Sequence, residues 1–157
     1  MSIPAHAQKI LASSTAKHAF SDPKTQDVFK LTLTGNTLLK SKATFEIFSP
    51  RGIRLYHETF EGFSLSNELE IDGFSVKQEE EYILKRVKEF FDKKNFLTPA
   101  ITPKDPTDTD YSDLKIWNDI RTDRTAIGFS YLLSYEYNRK IAWSKKLKKT
   151  VAYWGCC

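Results

Sequence analysis

From Asp27 onward, Phe29, Leu31 and Leu33 alternate with Lys30, Thr32 and Thr34 until Gly35-Asn36 interrupts them. Successive side chains of a strand point to opposite faces, so a period of two predicts a half-buried strand here. Ala43, Phe45 and Ile47 repeat the pattern against Thr44 and Glu46, and the chain is extended in style again from Ile53 to Phe60. Ser49-Pro50-Arg51-Gly52 stands between the two runs. Proline pre-sets φ at the second position of a turn and glycine closes it, which predicts a β-hairpin. Glu61 to Gly73 reads as a connection, although Leu65, Leu69 and Ile71 have the spacing of a short edge strand.

The period changes at Ser75. Gln78, three residues on, completes a capping box in which side chains satisfy amides left unpaired at a helix start, and Glu79 to Glu81 suit the positive end of the helix dipole. Ile83, Val87, Phe90 and Phe91 then share one helical face, and Lys93-Lys94-Asn95 supplies a stop. Pro99, Pro103 and Pro106 bar regular structure and lead into a loop rich in Asp and Thr. Asp110 or Ser112 is placed to cap a second, shorter helix with Leu114, Trp117 and Ile120 on one side.

From Ala126 the alternation returns, with Ile127, Phe129, Tyr131, Leu133, Tyr135 and Tyr137 on one parity. A turn at Asn138-Arg139, a return over Lys140 to Ser144, a turn at Lys145-Lys146 and alternation through Val151 and Tyr153 predict a closing β-meander. The pattern therefore predicts an α+β fold: a mostly antiparallel sheet of five to six strands, built from an N-terminal strand plus hairpin and a C-terminal meander, packed with two helices. The domain is expected over 27–157. Residues 1–26, poor in large apolar side chains, read as a flexible leader.

The chain's 157 residues suffice to bury roughly 70% of the surface that the unfolded form exposes. An aromatic content of 13% argues against disorder. The net charge of +4 is no more than solubility asks, but acids gather mid-chain and Arg139, Lys140, Lys145, Lys146, Lys148 and Lys149 near the end. No apolar run reaches the roughly 18 residues of a transmembrane span, so a soluble domain without a transmembrane segment is expected.

Several residue groups carry candidate chemistry. Asp105, Asp108, Asp110 and Asp113 could offer oxygen ligands to a hard divalent cation, although the glycine and closing glutamate of a calcium loop are missing. Tyr135, Tyr137, Trp143, Lys145, Lys146 and Trp154 form an aromatic, basic stretch suited to binding. Such a stretch resembles a single-strand nucleic-acid platform, yet aromatics at alternating strand positions are more often core, and nucleic acid is not the expected partner. Cys156-Cys157 reads as a disulfide, a pair of reactive thiols or a packed chain end, since no further cysteine completes a metal set. His57-Glu58 lacks the second histidine of a zinc-protease motif, Glu61 standing in its place. No nucleophile elbow, dinucleotide fingerprint or phosphate loop is present, so no cofactor is expected and an enzyme is the minority reading.

Phe29-Lys30-Leu31-Thr32-Leu33-Thr34-Gly35, Thr44-Phe45-Glu46-Ile47, Ala126-Ile127-Gly128-Phe129, Ser144-Lys145-Lys146 and the closing Cys-Cys together resemble a group of small bacterial envelope lipoproteins. The resemblance implies a periplasmic or envelope location and a lipid anchor in the precursor, but carries over no activity. Leu11-Ala12-Ser13-Ser14 is similar to a lipidation site with Ser in place of Cys. The leading expectation is a non-enzymatic, envelope-associated module that binds a protein partner. An immunity-type inhibitor of a toxin and a metal-assisted hydrolase using the Asp105 to Asp113 loop are the alternatives.

Overall fold

The computed structural model describes residues 8–66, 73–108, 110–134 and 137–156, without the side chain of Cys156. Among these residues the chain forms eight strands in two antiparallel sheets of four, with two α-helices, an α+β fold. The first sheet runs β1 (Ile10–His18), β2 (Asp27–Thr34), β3 (Lys42–Phe48) and β4 (Arg54–Glu61) in order. The second runs β5 (Phe96–Leu97), β6 (Gly128–Ser134), β7 (Tyr137–Ser144) and β8 (Lys149–Cys156). No helix among the described residues is long and apolar enough to cross a membrane.

Alternation dictates how the sheets meet. Phe29, Leu31, Leu33, Phe45 and Ile47 of the first sheet and Phe129, Tyr131 and Ile141 of the second all lie in one buried cluster. Helix α1 (Val76–Glu89) and the residues just after it add Ile83, Val87, Phe90 and Phe91 to that cluster. Its capping box is present, with Ser75 Oγ accepting from Gln78 N and Gln78 Oε1 accepting from Ser75 N. Phe45 packs edge-on against Phe90 and Tyr131, and its ring lies 5.5 Å from that of Phe129, so helix and both sheets share one aromatic cluster. Burying one such side chain contributes about 1.5–3 kcal/mol, which makes these rings the main source of stability. Along the edges, His18 stacks on Phe96 at 3.8 Å to tie β1 to β5, and Thr150 Oγ1 donates to Leu55 O to tie β8 to β4.

Helix α2 (Leu114–Thr122) lies on the opposite face of the second sheet. There Trp117 and Ile120 pack with Ala100, Ala126, Ala142, Val151 and Tyr153 in a second, smaller core. The second sheet is thus covered on both sides.

The structure corrects the sequence reading in four places. Residues 10–26 are not a flexible leader: β1 pairs along β2, and Phe20 and Asp27 are buried, with Asp27 accepting from Ser21 N and Oγ. Its inward positions are the small Ala12, Ser14 and Ala16, and α1 lies against this strand, so little hydrophobic alternation marks it. β1 and the two-residue β5 account for the excess over five to six strands. Asn138 and Arg139 lie inside β7 rather than in a turn, because Ser134 already pairs with Tyr137. The cap of α2 is Asp113, whose Oδ1 accepts from Lys115 N and Ile116 N, not Asp110 or Ser112. Leu69 and Ile71 lie outside the described residues.

Candidate functional site

The strand parity of the meander decides which of its aromatic and basic residues can work together. Tyr137 and Trp143 face inward and pack half-buried on the main core, with the Arg139 guanidinium 4.9 Å from the Tyr137 ring centre. They do not belong to an exposed binding platform. Lys145 is held by Thr125 Oγ1 and by an ion pair with Asp123 at 3.6 Å. Burial opposes ionisation of Asp123, but hydrogen bonds from Thr125 and the Lys145 charge prevail and hold its pKa low. Lys146 is exposed at the β7–β8 turn. Tyr135, Cys157 and the Cys156 side chain lie outside the described residues.

Trp154 stands on the outer face, and a β-bulge puts it there. Lys140 pairs with Trp154 while the next residue, Ile141, pairs with Ala152, so Tyr153 is supernumerary in the ladder. Regular alternation would send neighbours to opposite faces; the bulge leaves Tyr153 and Trp154 both on the α2 side. Tyr153 reaches across the sheet to donate its hydroxyl to Ala100 O at 3.0 Å. Gly128 makes the room, since a Cβ there would stand 2.4 Å from the Tyr153 hydroxyl. Burial pushes the Tyr153 phenol pKa up, and the nearby Asp105 charge adds to the shift.

This arrangement closes a cleft of about 240 Å³ between the Asp-rich loop and the outer face of the second sheet. Asp105, Asp108, Trp117, Lys140, Tyr153 and Trp154 line it. Two regions of separate interest in the sequence thus meet at one place. Asp105 Oδ2 accepts from Thr102 N and Asp108 Oδ1 from Asp110 N, so each carboxylate gives one oxygen to its own turn and keeps the other unbonded among the described residues. The Lys140 ammonium sits 5.2 Å from the Trp154 ring centre, and Tyr111 meets the same ring edge-on. Trp117 is only 4% exposed, and its Nε1 is buried without a hydrogen-bond acceptor among the described residues. Read from sequence, Trp117 is simply an apolar anchor; its unpaired donor depends on what the fold fails to place beside it.

The four aspartates do not converge on a metal centre. Asp105, Asp108 and Asp113 each serve a local turn or cap, and no group of three or more His, Cys, Asp or Glu is arranged to hold an ion among the described residues.

Beside the cleft, a groove of about 270 Å³ runs between α2 and the β7–β8 turn, with Ile116 and Leu147 as its apolar side chains and Asp113, Lys115, Asp119 and Lys146 around them. Leu147 is 47% exposed and Leu114, at the start of α2, 50%.

The other concentration of polar groups is inside the sandwich. Arg139 pairs with Glu58 at 2.8 Å, Tyr131 donates to the other oxygen of the same carboxylate, and the Tyr56 hydroxyl bonds both Tyr131 and Glu58. Burial raises the pKa of both phenols, with the Glu58 charge contributing. Burial works against the Arg139 charge, but the hydroxyls and carboxylate around it prevail and hold it more firmly protonated than a free guanidinium. Sequence reasoning missed this cluster because the bonds that join its two halves span 73 to 81 positions, from one sheet to the other.

No protein-family model matches the chain, and no curated protein or solved structure matches it significantly.

Proposed function

We propose that this protein is a non-enzymatic binding module, associated with the bacterial envelope, that meets a protein partner through the α2 face of its second sheet. The observation that carries this reading is the groove between α2 and the β7–β8 turn, where Ile116 and Leu147 are ringed by charges of both signs. An apolar centre within a polar rim is the anatomy of a protein interface. The outer face of the first sheet is more polar, with the hydroxyls of Ser13, Thr32, Thr44 and Thr59 in register across the four strands and Lys30, Glu46 and His57 in the row beside them. The resemblance to envelope lipoproteins supports the location. The hydrolase alternative loses its geometric support with the dispersal of the aspartates among the described residues, and the Glu58 carboxylate is engaged by Arg139, Tyr56 and Tyr131.

A photo-crosslinking side chain placed at Leu147, and separately at Thr59, tests the reading in cells that express the whole chain. A discrete protein adduct from position 147 and none from 59 is the expected result. Equal adducts from both positions, or none from either, would overturn it.

A further inference from the structure

The second sheet has one edge that its own chain covers only in part. β5 is two residues long and pairs with β6 at Phe129 and Gly128 alone, and no other strand lies on that side of β6 among the described residues. In an antiparallel strand the N–H and C=O of one residue point the same way, and those of the next residue point the opposite way. Ala126 O accepts from Ala100 N and Leu132 O from an Arg86 guanidinium nitrogen, neither partner belonging to β7. The even positions between them therefore present their backbone groups to the β5 side. The N–H and C=O of Ser130 and the N–H of Leu132 lie there beyond the end of β5, where they meet no strand among the described residues.

A strand edge in this state is a template for another chain. It opens into a cleft of about 320 Å³ between α1 and β6, within the range of ligand sites, which begins at roughly 300 Å³. Lys85, Arg86, Glu89 and Lys94 line the cleft with Ser130 and Leu132, so three cations stand against one carboxylate. Arg86 is committed to Leu65 O and Leu132 O and closes the edge at Leu132, while the exposed Lys85 and Lys94 face an occupant. Three residues of extended chain span about 10 Å, enough to run alongside Ser130 to Leu132. A positive edge repels a second copy of itself and suits a segment of the opposite sign.

We propose that the free edge of β6 takes an extended, acidic segment of a partner protein as an added strand in line with β5. The backbone of that segment pairs with Ser130 and Leu132, and its carboxylates meet Lys85 and Lys94. This edge is separate from the α2 face, and neither reading depends on the other.

The test titrates the whole ¹⁵N-labelled chain with a capped eight-residue peptide in which glutamate alternates with threonine. The Ser130 and Leu132 amide resonances are expected to move downfield saturably. The same peptide with lysine in place of glutamate, the acidic peptide N-methylated at every residue, and inorganic phosphate should each leave them in place. Lys85→Gln combined with Lys94→Gln, at two exposed positions, should weaken the acidic peptide about fivefold. Amides unmoved by the acidic peptide would overturn the proposal. So would equal movement by the lysine peptide, the N-methylated peptide, phosphate or a rise in the protein's own concentration, or an unchanged affinity in the double variant. The Leu147 crosslink reads the other face, so the two readings can fail separately.

Discussion

The cluster between the sheets and the cleft outside them use nearly the same ingredients and differ in completeness. Inside, two tyrosines, an arginine and a glutamate bond one another, Tyr131 and Arg139 donating to Glu58 from the opposite sheet while Tyr56 meets it from the same strand. Outside, two tryptophans, a tyrosine, a lysine and two aspartates surround a space in which one buried donor and two carboxylate oxygens have no partner among the described residues. A polar cluster that closes on itself holds a fold together. One that buries a donor without an acceptor weakens the fold where it stands.

The largest effect that separates them comes from Glu58→Ala. Removing the shared acceptor leaves the Arg139 charge and two hydroxyls half-buried without it, and about 2–3 kcal/mol of stability should be lost in urea unfolding. A loss below about 1 kcal/mol would mean that water replaces the carboxylate and that the cluster holds the sheets no more firmly than a surface pair does.

Alkaline pH gives the next effect. Tyr56, Tyr131 and Tyr153 all have folded-state pKa values above 10.0, so the unfolded chain releases these protons first and binds fewer of them beyond that pH. Stability is therefore constant with respect to these groups below pH 10 and falls as pH rises past it, by up to about 1.4 kcal/mol per pH unit for each phenol. Tyr131→Phe should make the decline shallower in a series of thermal melts; an unchanged slope would show that the cluster is open to water.

The smallest effect is expected for Trp117→Phe. The variant loses ring volume but also a buried donor that has no partner, and the opposing changes should leave stability within about 1 kcal/mol of the parent. A much larger loss by calorimetry would mean that the indole N–H is satisfied within the fold.

Much of the fold was legible in the order of residues. The hairpin is marked by Ser49-Pro50-Arg51-Gly52, whose Gly52 adopts φ +82°, and α1 by its capping box and by four core residues that are all buried. These features are local, and local chemistry suffices to read them. β1 was illegible because an edge strand with Ala and Ser inward has no apolar period to show. The division of the meander into two faces was half legible: parity places Tyr137 and Trp143 inward, but the bulge that keeps Trp154 beside Tyr153 is a property of two paired strands and cannot be seen in one. The Asp-rich loop and the aromatic end each stood out, for metal and for partner binding, yet their meeting in one cleft depends on the packing of α2 between them.

The supernumerary residue in β8 sets how many rings one side of the sheet can carry. A regular ladder of the same length would still seat Tyr153 on that side, opposite Lys140, but would turn Trp154 to the other. A side chain at position 128 would meet the Tyr153 hydroxyl in either ladder, so the glycine and the bulge serve different rings and can be varied independently of each other.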